Sequence, residues 1–341
     1  MAKMKAVCLE SFGGPETLHV KDVEIPQPGE GEVLIRVRAA SVNPVDFKIR
    51  EGKYPPVSSE QLPKVLGRDI SGTVERCGRA VTQFKEADEV FAMLDPEHGG
   101  YAEYVVLRAD LCARKPRSLN HVEAAAVPLA GLTAWQGLFD HGKLRAGQHV
   151  LIHGGAGGVG HLAIQFAKAR GARVSTTVSW ADKEFARTLG ADQVVDHHAE
   201  RFEEVVHDVD LVFDLVAGET QQRSWAVLKK GGTLVSTLTR PPQEEARRHE
   251  ARGLNYTARP DAAELSDVGR LIDAGKVKPR VQETFPLAQA AAASNGSSAD
   301  TFPERSCCKF RLDSLASRAW GLVARRAFQH ARGPFSTPGA F

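Results

Sequence analysis

Nowhere do the 341 residues run to the roughly 18 consecutive apolar positions that a membrane span needs. The opening Met1-Ala2-Lys3-Met4-Lys5-Ala6-Val7 also lacks the apolar core of a secretory signal. Charge of one sign is missing too, because 44 basic and 42 acidic side chains leave a formal net charge of +2. That balance gives no electrostatic footprint for nucleic acid or a membrane surface. Cysteine is sparse: Cys8, Cys77, Cys112, Cys307 and Cys308 are odd in number and form no Cys-x-x-Cys pair. We therefore expect a reducing, cytoplasmic setting, with no disulfide framework and no thiolate cage for zinc.

What remains is an ordinary globular composition, 42% hydrophobic and 25% charged, long enough for two domains. The first third reads as short strands punctuated by Gly and Pro. Val33 to Ala39, Ile70 to Val74, Glu89 to Ala92 and Tyr101 to Val106 are the strand candidates, and much later in the chain Val277 to Phe285 also reads as extended. Near His121 the texture changes. An Ala-rich helical stretch, Val122 to Leu138, is interrupted by Pro128 and Gly131. Strands at 148–153, 173–178, 193–196, 211–214 and 233–236 then alternate with helices at 161–169 and 182–189, and a helix over 265–274 follows. Alternation of this kind predicts a doubly wound parallel sheet.

The chemistry is concentrated between the first of those strands and its helix. Gly155, Gly157 and Gly160 fit G-x-G-x-x-G, with Ala156, Gly158 and Val159 between them. In this strand–loop–helix context the string predicts a dinucleotide site. The glycines permit a tight turn, close backbone approach to the pyrophosphate and close helix packing, and the helix N-terminus offers free N–H groups. About 20 residues on, an acid would select NAD. The chain has Val178-Ser179-Trp180 there, so Ser179 and Lys183 are the expected partners of a 2′-phosphate and the expected cofactor is NADPH. Asp182 and Glu184 stand close by and leave NADH open.

With that loop in place, the chain resembles the medium-chain dehydrogenase/reductase superfamily in its zinc-independent quinone oxidoreductase branch. The carriers are Ala39-Ala40-Ser41-Val42-Asn43-Pro44-Val45-Asp46, Gly67-Arg68-Asp69-Ile70-Ser71-Gly72, Gly99-Gly100-Tyr101-Ala102-Glu103-Tyr104, Pro128-Leu129-Ala130-Gly131-Leu132-Thr133-Ala134-Trp135, Leu189-Gly190-Ala191-Asp192 and Leu228-Lys229-Lys230-Gly231-Gly232. The resemblance runs from about Met4 to Ala293. It implies an α/β architecture: a Rossmann domain over 123–257, and a mostly β GroES-like substrate domain over 1–122 completed by 258–293. It also implies a homodimer, with substrate and nicotinamide meeting between the domains.

Zinc members of that superfamily carry Gly-His-Glu where this chain has Gly67-Arg68-Asp69, so we expect no metal. Among the histidines, His197 and His198 are expected to point apart, and His141, His149 and His153 to lie around one strand. Without a Lewis acid the natural acceptor is a quinone or an α,β-unsaturated carbonyl, whose developing charge spreads to a distant oxygen. The resemblance places Asn43 and Tyr54 near substrate and nicotinamide, Lys48 at the cofactor ribose or the oxyanion, and Thr133 beside the nicotinamide. All three of Asn43, Lys48 and Tyr54 are read as lying on one loop, and Asp46 is read as either structural or functional. Two other functions stay open: a cofactor-binding protein with vestigial catalysis, crystallin-like or redox-sensing, and an enoyl-thioester reductase. Beyond Ala293 the family pattern stops. No closing strand is recognisable, and residues 294–341 are expected to form an atypical, frameshifted tail.

Overall fold

The alternation in Glu32-Val33-Leu34-Ile35-Arg36-Val37-Arg38 suits a strand with one face against a core, and it folds as one. The computed structural model describes residues 2–295 and the backbone of 308–311. A small antiparallel sheet joins β1 (Lys3–Leu9), β2 (Leu18–Glu24) and β4 (Lys64–Val65) in the order β2-β1-β4. A larger sheet contains β3 (Glu32–Val42), β5 (Asp69–Cys77), β6 (Glu89–Met93), β7 (Tyr104–Arg108), β8 (Ala113–Arg114), β15 (Glu283–Pro286) and β16 (Cys308–Arg311). Its path is β15-β16-β3-β5-β6-β8, with β7 also paired to β3. Valine, isoleucine and leucine from these strands form a buried core around Val33, Ile35, Ile70, Val90 and Leu107.

The parallel sheet contains β9 (His149–His153), β10 (Arg173–Val178), β11 (Gln193–Asp196), β12 (Val209–Asp214), β13 (Leu228–Ser236) and β14 (Arg252–Asn255). Its order, β11-β10-β9-β12-β13-β14, reverses direction at β9. That reversal opens a crevice at the carboxyl ends of β9 and β12, where doubly wound sheets take their ligands. Every residue of β9 is buried, as a central strand covered on both faces requires.

Three readings of the sequence are corrected here. The stretch after Asn43 is a helix, Pro44–Arg50, rather than a loop. Asn43 precedes it in extended geometry, Pro44 fills the first position, and the Asp46 carboxylate accepts the Asn43 backbone N–H at 2.7 Å. The 122–138 stretch is broken into His121–Ala124, Pro128–Trp135 and a wide turn over Gln136–His141, as Pro128 dictates. A strand does exist beyond Ala293. β16 lies between β15 and β3, parallel to the first and antiparallel to the second. Its four residues are too few for alternation to be read from sequence. Most of the expected frameshifted tail lies outside the described residues.

Candidate active site

The glycine loop links β9 to the helix Gly160–Ala169 at the point where the sheet order reverses. Its close approaches explain the residue types. A Cβ on Gly155 would stand 2.0 Å from Thr176 Oγ1 on β10, and one on Gly160 would stand 2.1 Å from the Gly154 carbonyl oxygen. Gly154 itself needs a φ of +73°, open to glycine at no cost. Gly158, by contrast, faces space with no atom within 4 Å of an added Cβ. Gly157, Gly158 and Val159 are partly exposed at the loop tip, while Gly155, Ala156 and Gly160 are buried. A cradle packed beneath and open above fits a pyrophosphate group.

Two buried histidines stand beside this loop, and of these His161 was not singled out from the sequence. His161 is buried, with Nδ1 2.9 Å from the Gly157 carbonyl, and the backbone N–H of Arg280 donates to its Nε2 at 3.2 Å. The imidazole therefore ties the loop to the chain segment returning from the parallel-sheet unit. On β9, His153 lies between Thr177 Oγ1 at 3.0 Å and Ser224 Oγ at 2.9 Å, and burial pushes its pKa down to about 4. Asp214, at the end of β12, accepts from the backbone of Val216 and Ala217 and from Gln221 Nε2, which fixes the turn beside Gly154.

At the tip of β10, Ser179 donates to Asp182 Oδ2 at 2.6 Å, and Asp182 is buried. Lys183 pairs with Glu200 at 2.9 Å and lies over the exposed Trp180 ring. Both groups expected to meet a 2′-phosphate are thus engaged with carboxylates of this chain. The His197 and His198 rings stand 4.0 Å apart rather than diverging.

Of the residues expected on the substrate side, Asn43 is bonded into a network around the buried carboxylates of Asp46 and Asp69. Asn43 spends its amide hydrogens on Ser41 Oγ and Asp69 Oδ2, each at 2.9 Å. Ser41 also donates to Asp69 Oδ2, and the backbone N–H of Leu129 donates to Asp69 Oδ1 at 2.7 Å. Asp46 accepts from Asn43 N, from Gly67 N at 3.2 Å and from the Tyr101 hydroxyl at 2.9 Å. Burial raises Asp46 to about 7 and Asp69 to about 6, against the opposing pull of these donors. Lys48 is half-buried, and its ammonium makes no hydrogen bond or ion pair with the described residues. Tyr54 packs its ring beside the cluster of Ile49, Val57 and Leu66. Thr133 returns its hydroxyl to the Leu129 carbonyl at 2.6 Å, and its own carbonyl accepts from the buried Tyr256 hydroxyl. Tyr256 in turn stacks on His141 at 4.4 Å.

Arg68, where the zinc enzymes carry histidine, is buried with Nε donating to the Leu94 carbonyl at 2.8 Å. Among the described residues no three His, Cys, Asp or Glu side chains are grouped as a metal ion would require. A separate cavity of about 520 Å³, bordered by Arg114, Arg117 and Asp273, shares no residue with this site. Among the described residues no helix is long and apolar enough to cross a membrane.

Residues 29–117 match the family described as alcohol dehydrogenase GroES-like domain, and residues 189–297 match the one described as zinc-binding dehydrogenase. The second match ends four residues past Ala293, where the motifs also run out. Among curated relatives, the mitochondrial NAD(P)H oxidoreductase RTN4IP1 of Danio rerio is 34% identical over 84% of this chain and 86% of its own length. The chloroplastic NADPH-dependent alkenal/one oxidoreductase of Arabidopsis thaliana is 35% identical over 84% of this chain and 73% of its own length. Among solved structures, the quinone oxidoreductase from Coxiella burnetii superposes with a TM-score of 0.85 at 35% identity, covering 92% of this chain and all of its own.

Proposed function

The chain belongs to the medium-chain dehydrogenase/reductase superfamily, with quinone oxidoreductases among its relatives, and from that premise we propose that it reduces a quinone or an α,β-unsaturated carbonyl with a nicotinamide dinucleotide. The observation that carries this reading is the glycine cradle at the reversal of the parallel sheet, closed below by Gly155 and Gly160 and open above Gly158. Gly155, Ala156, Gly157, Gly158, Val159 and Gly160 hold the pyrophosphate, and Thr133 borders the nicotinamide. Bound there, the reduced dinucleotide supplies a hydride.

This chain's own residues do the rest. Lys48 brings a positive charge that no described carboxylate neutralises, and it stabilises the oxygen on which charge collects as an enone or quinone is reduced. The Tyr54 hydroxyl orients that oxygen. Asn43 has no amide hydrogen left for substrate, so we give it a positioning role. Arg68 stands where a metal-binding imidazole would be needed, so the charge falls to these donors rather than to a Lewis acid.

The cofactor we propose is NADPH, read by Ser179 and Lys183 once Lys183 releases Glu200. We further propose that 1–122 with 258–293 forms the substrate domain and 123–257 the Rossmann domain, and the joining of β15 to the antiparallel sheet supports that division. The outer edge of β14, paired with no described strand, suits a homodimer contact. Unpaired Cys8, Cys77 and Cys112 fit a reducing compartment, for which we propose the cytoplasm. A panel of NADPH oxidation against a naphthoquinone, a simple enone and an enoyl-CoA tests the reading. Turnover on the first two supports it. Turnover on the thioester alone, or on none, overturns it.

A further inference from the structure

Asp69 is fully buried and bonded on both oxygens, and its three partners come from three separate places in the chain. Ser41 lies near the end of β3, Asn43 precedes the helix Pro44–Arg50, Asp69 opens β5, and Leu129 lies in the first turn of Pro128–Trp135. The first three belong to the antiparallel-sheet unit. The helix that starts at Pro128 packs its Val127, Leu132 and Trp135 region into the core under β9 and carries Thr133 one turn beyond Leu129. A single carboxylate therefore joins the segment leading to Lys48 and Tyr54 with the helix bearing Thr133. We propose that Asp69 is a positioning residue for hydride transfer, clamping the substrate-side segment to the helix beside the nicotinamide and so fixing the approach of the two reactants. This rests on the oxidoreductase reading above.

The chemistry favours a clamp over mere packing. A buried carboxylate is costly unless every lone pair is met, and Asp69 meets its charge with two side-chain donors and one backbone N–H. Leu129 N–H is one of the four a helix start leaves without a partner, so the helix gains a cap as the clamp closes. Arg68 beside it attracts the charge. Asp46 on the neighbouring helix is the one other acid in the cluster, and it is satisfied separately by Asn43 N, Gly67 N and Tyr101. Reactant misplacement of about 1 Å is enough to slow an oriented reaction by about a hundredfold, so a clamp of this kind sets rate without touching substrate.

The test compares wild type with Asp69→Asn, using NADPH and a naphthoquinone at saturation. We expect kcat to fall about tenfold to a hundredfold, with the NADPH dissociation constant unchanged and the isotope effect from 4-deuterated NADPH increased. Amide exchange in 128–135 rises at the same time. Should Asp69→Asn fail to fold, Ser41→Ala removes one of the three donors and shifts the same quantities in the same direction by less. Unchanged kcat and isotope effect in either folded variant overturn the proposal, as does a loss of kcat matched by an equal loss of folded protein. Wild type that leaves NADPH unoxidised with the naphthoquinone and with a simple enone refutes the oxidoreductase reading, and the positioning role with it. An active wild type beside an unaffected variant refutes the positioning role alone.

Discussion

Gly160→Ala puts the smallest side chain into the tightest point of the cradle. Its Cβ would stand 2.1 Å from the Gly154 carbonyl oxygen and 2.8 Å from Gly155 Cα, both backbone atoms with no rotamer to yield. Ordinary contact begins near 3.4 Å, so the loop must retreat by more than an ångström. Overpacking of this kind costs about 1–3 kcal/mol of stability. The same retreat moves the loop N–H groups out of hydrogen-bond range of a phosphate, and losing one charge-assisted bond of about 1.5–3 kcal/mol weakens binding by about tenfold to a hundredfold. Urea unfolding and titration with NADPH read the two quantities. Gly158→Ala is the control, because nothing stands within 4 Å of its Cβ. Its stability should stay within about 0.5 kcal/mol of wild type. A Gly160→Ala protein with wild-type stability and affinity would refute the packing argument.

Glu200→Gln frees Lys183 from its 2.9 Å partner and should raise the preference for NADPH over NADH about twofold to fivefold, the scale of a partly exposed ion pair. An unchanged ratio of dissociation constants would show that Lys183 does not read the 2′-phosphate. His153 is held neutral to about pH 4, so as pH falls through 6.5 the unfolded chain takes up a proton the native one refuses, and its share of stability drops by about 1.4 kcal/mol per unit. Asp46 and Asp69, raised to about 7 and about 6, act in the opposite sense: their share is present at low pH and lost as pH rises past about 4. Removing the imidazole with His153→Gln should therefore shift the urea midpoint measured at pH 4.5 relative to wild type more favourably than at pH 7, and equal shifts at both would contradict the assignment. Elemental analysis should find no stoichiometric zinc, given Arg68 at the position of the missing imidazole; one zinc per chain would overturn the reading.

The nucleotide-binding half was legible because its signals are local. β10 and β11 carry the bounds read from the sequence, and the glycine loop sits where strand, loop and helix periodicity meet. What the sequence concealed was long-range. Asp69 lies in a motif read for the family resemblance and for the histidine it lacks, yet its partners are 26 to 60 positions away. Ser179 and Lys183 were legible as residue types at the right offset, but their engagement with Asp182 and Glu200 depends on side-chain geometry that spacing does not convey. β16 was hidden for another reason: four residues acquire strand identity from β3 and β15 on either side rather than from their own pattern.

The central claim is that hydride passes directly from a nicotinamide to a conjugated acceptor on this chain. The most direct measurement is turnover of an enone with 4-deuterated NADPH, with the product examined by mass spectrometry and NMR. The account predicts one deuterium per product molecule, at the carbon β to the carbonyl. Product without deuterium there, or reduction of the carbonyl carbon itself to an alcohol, would contradict it.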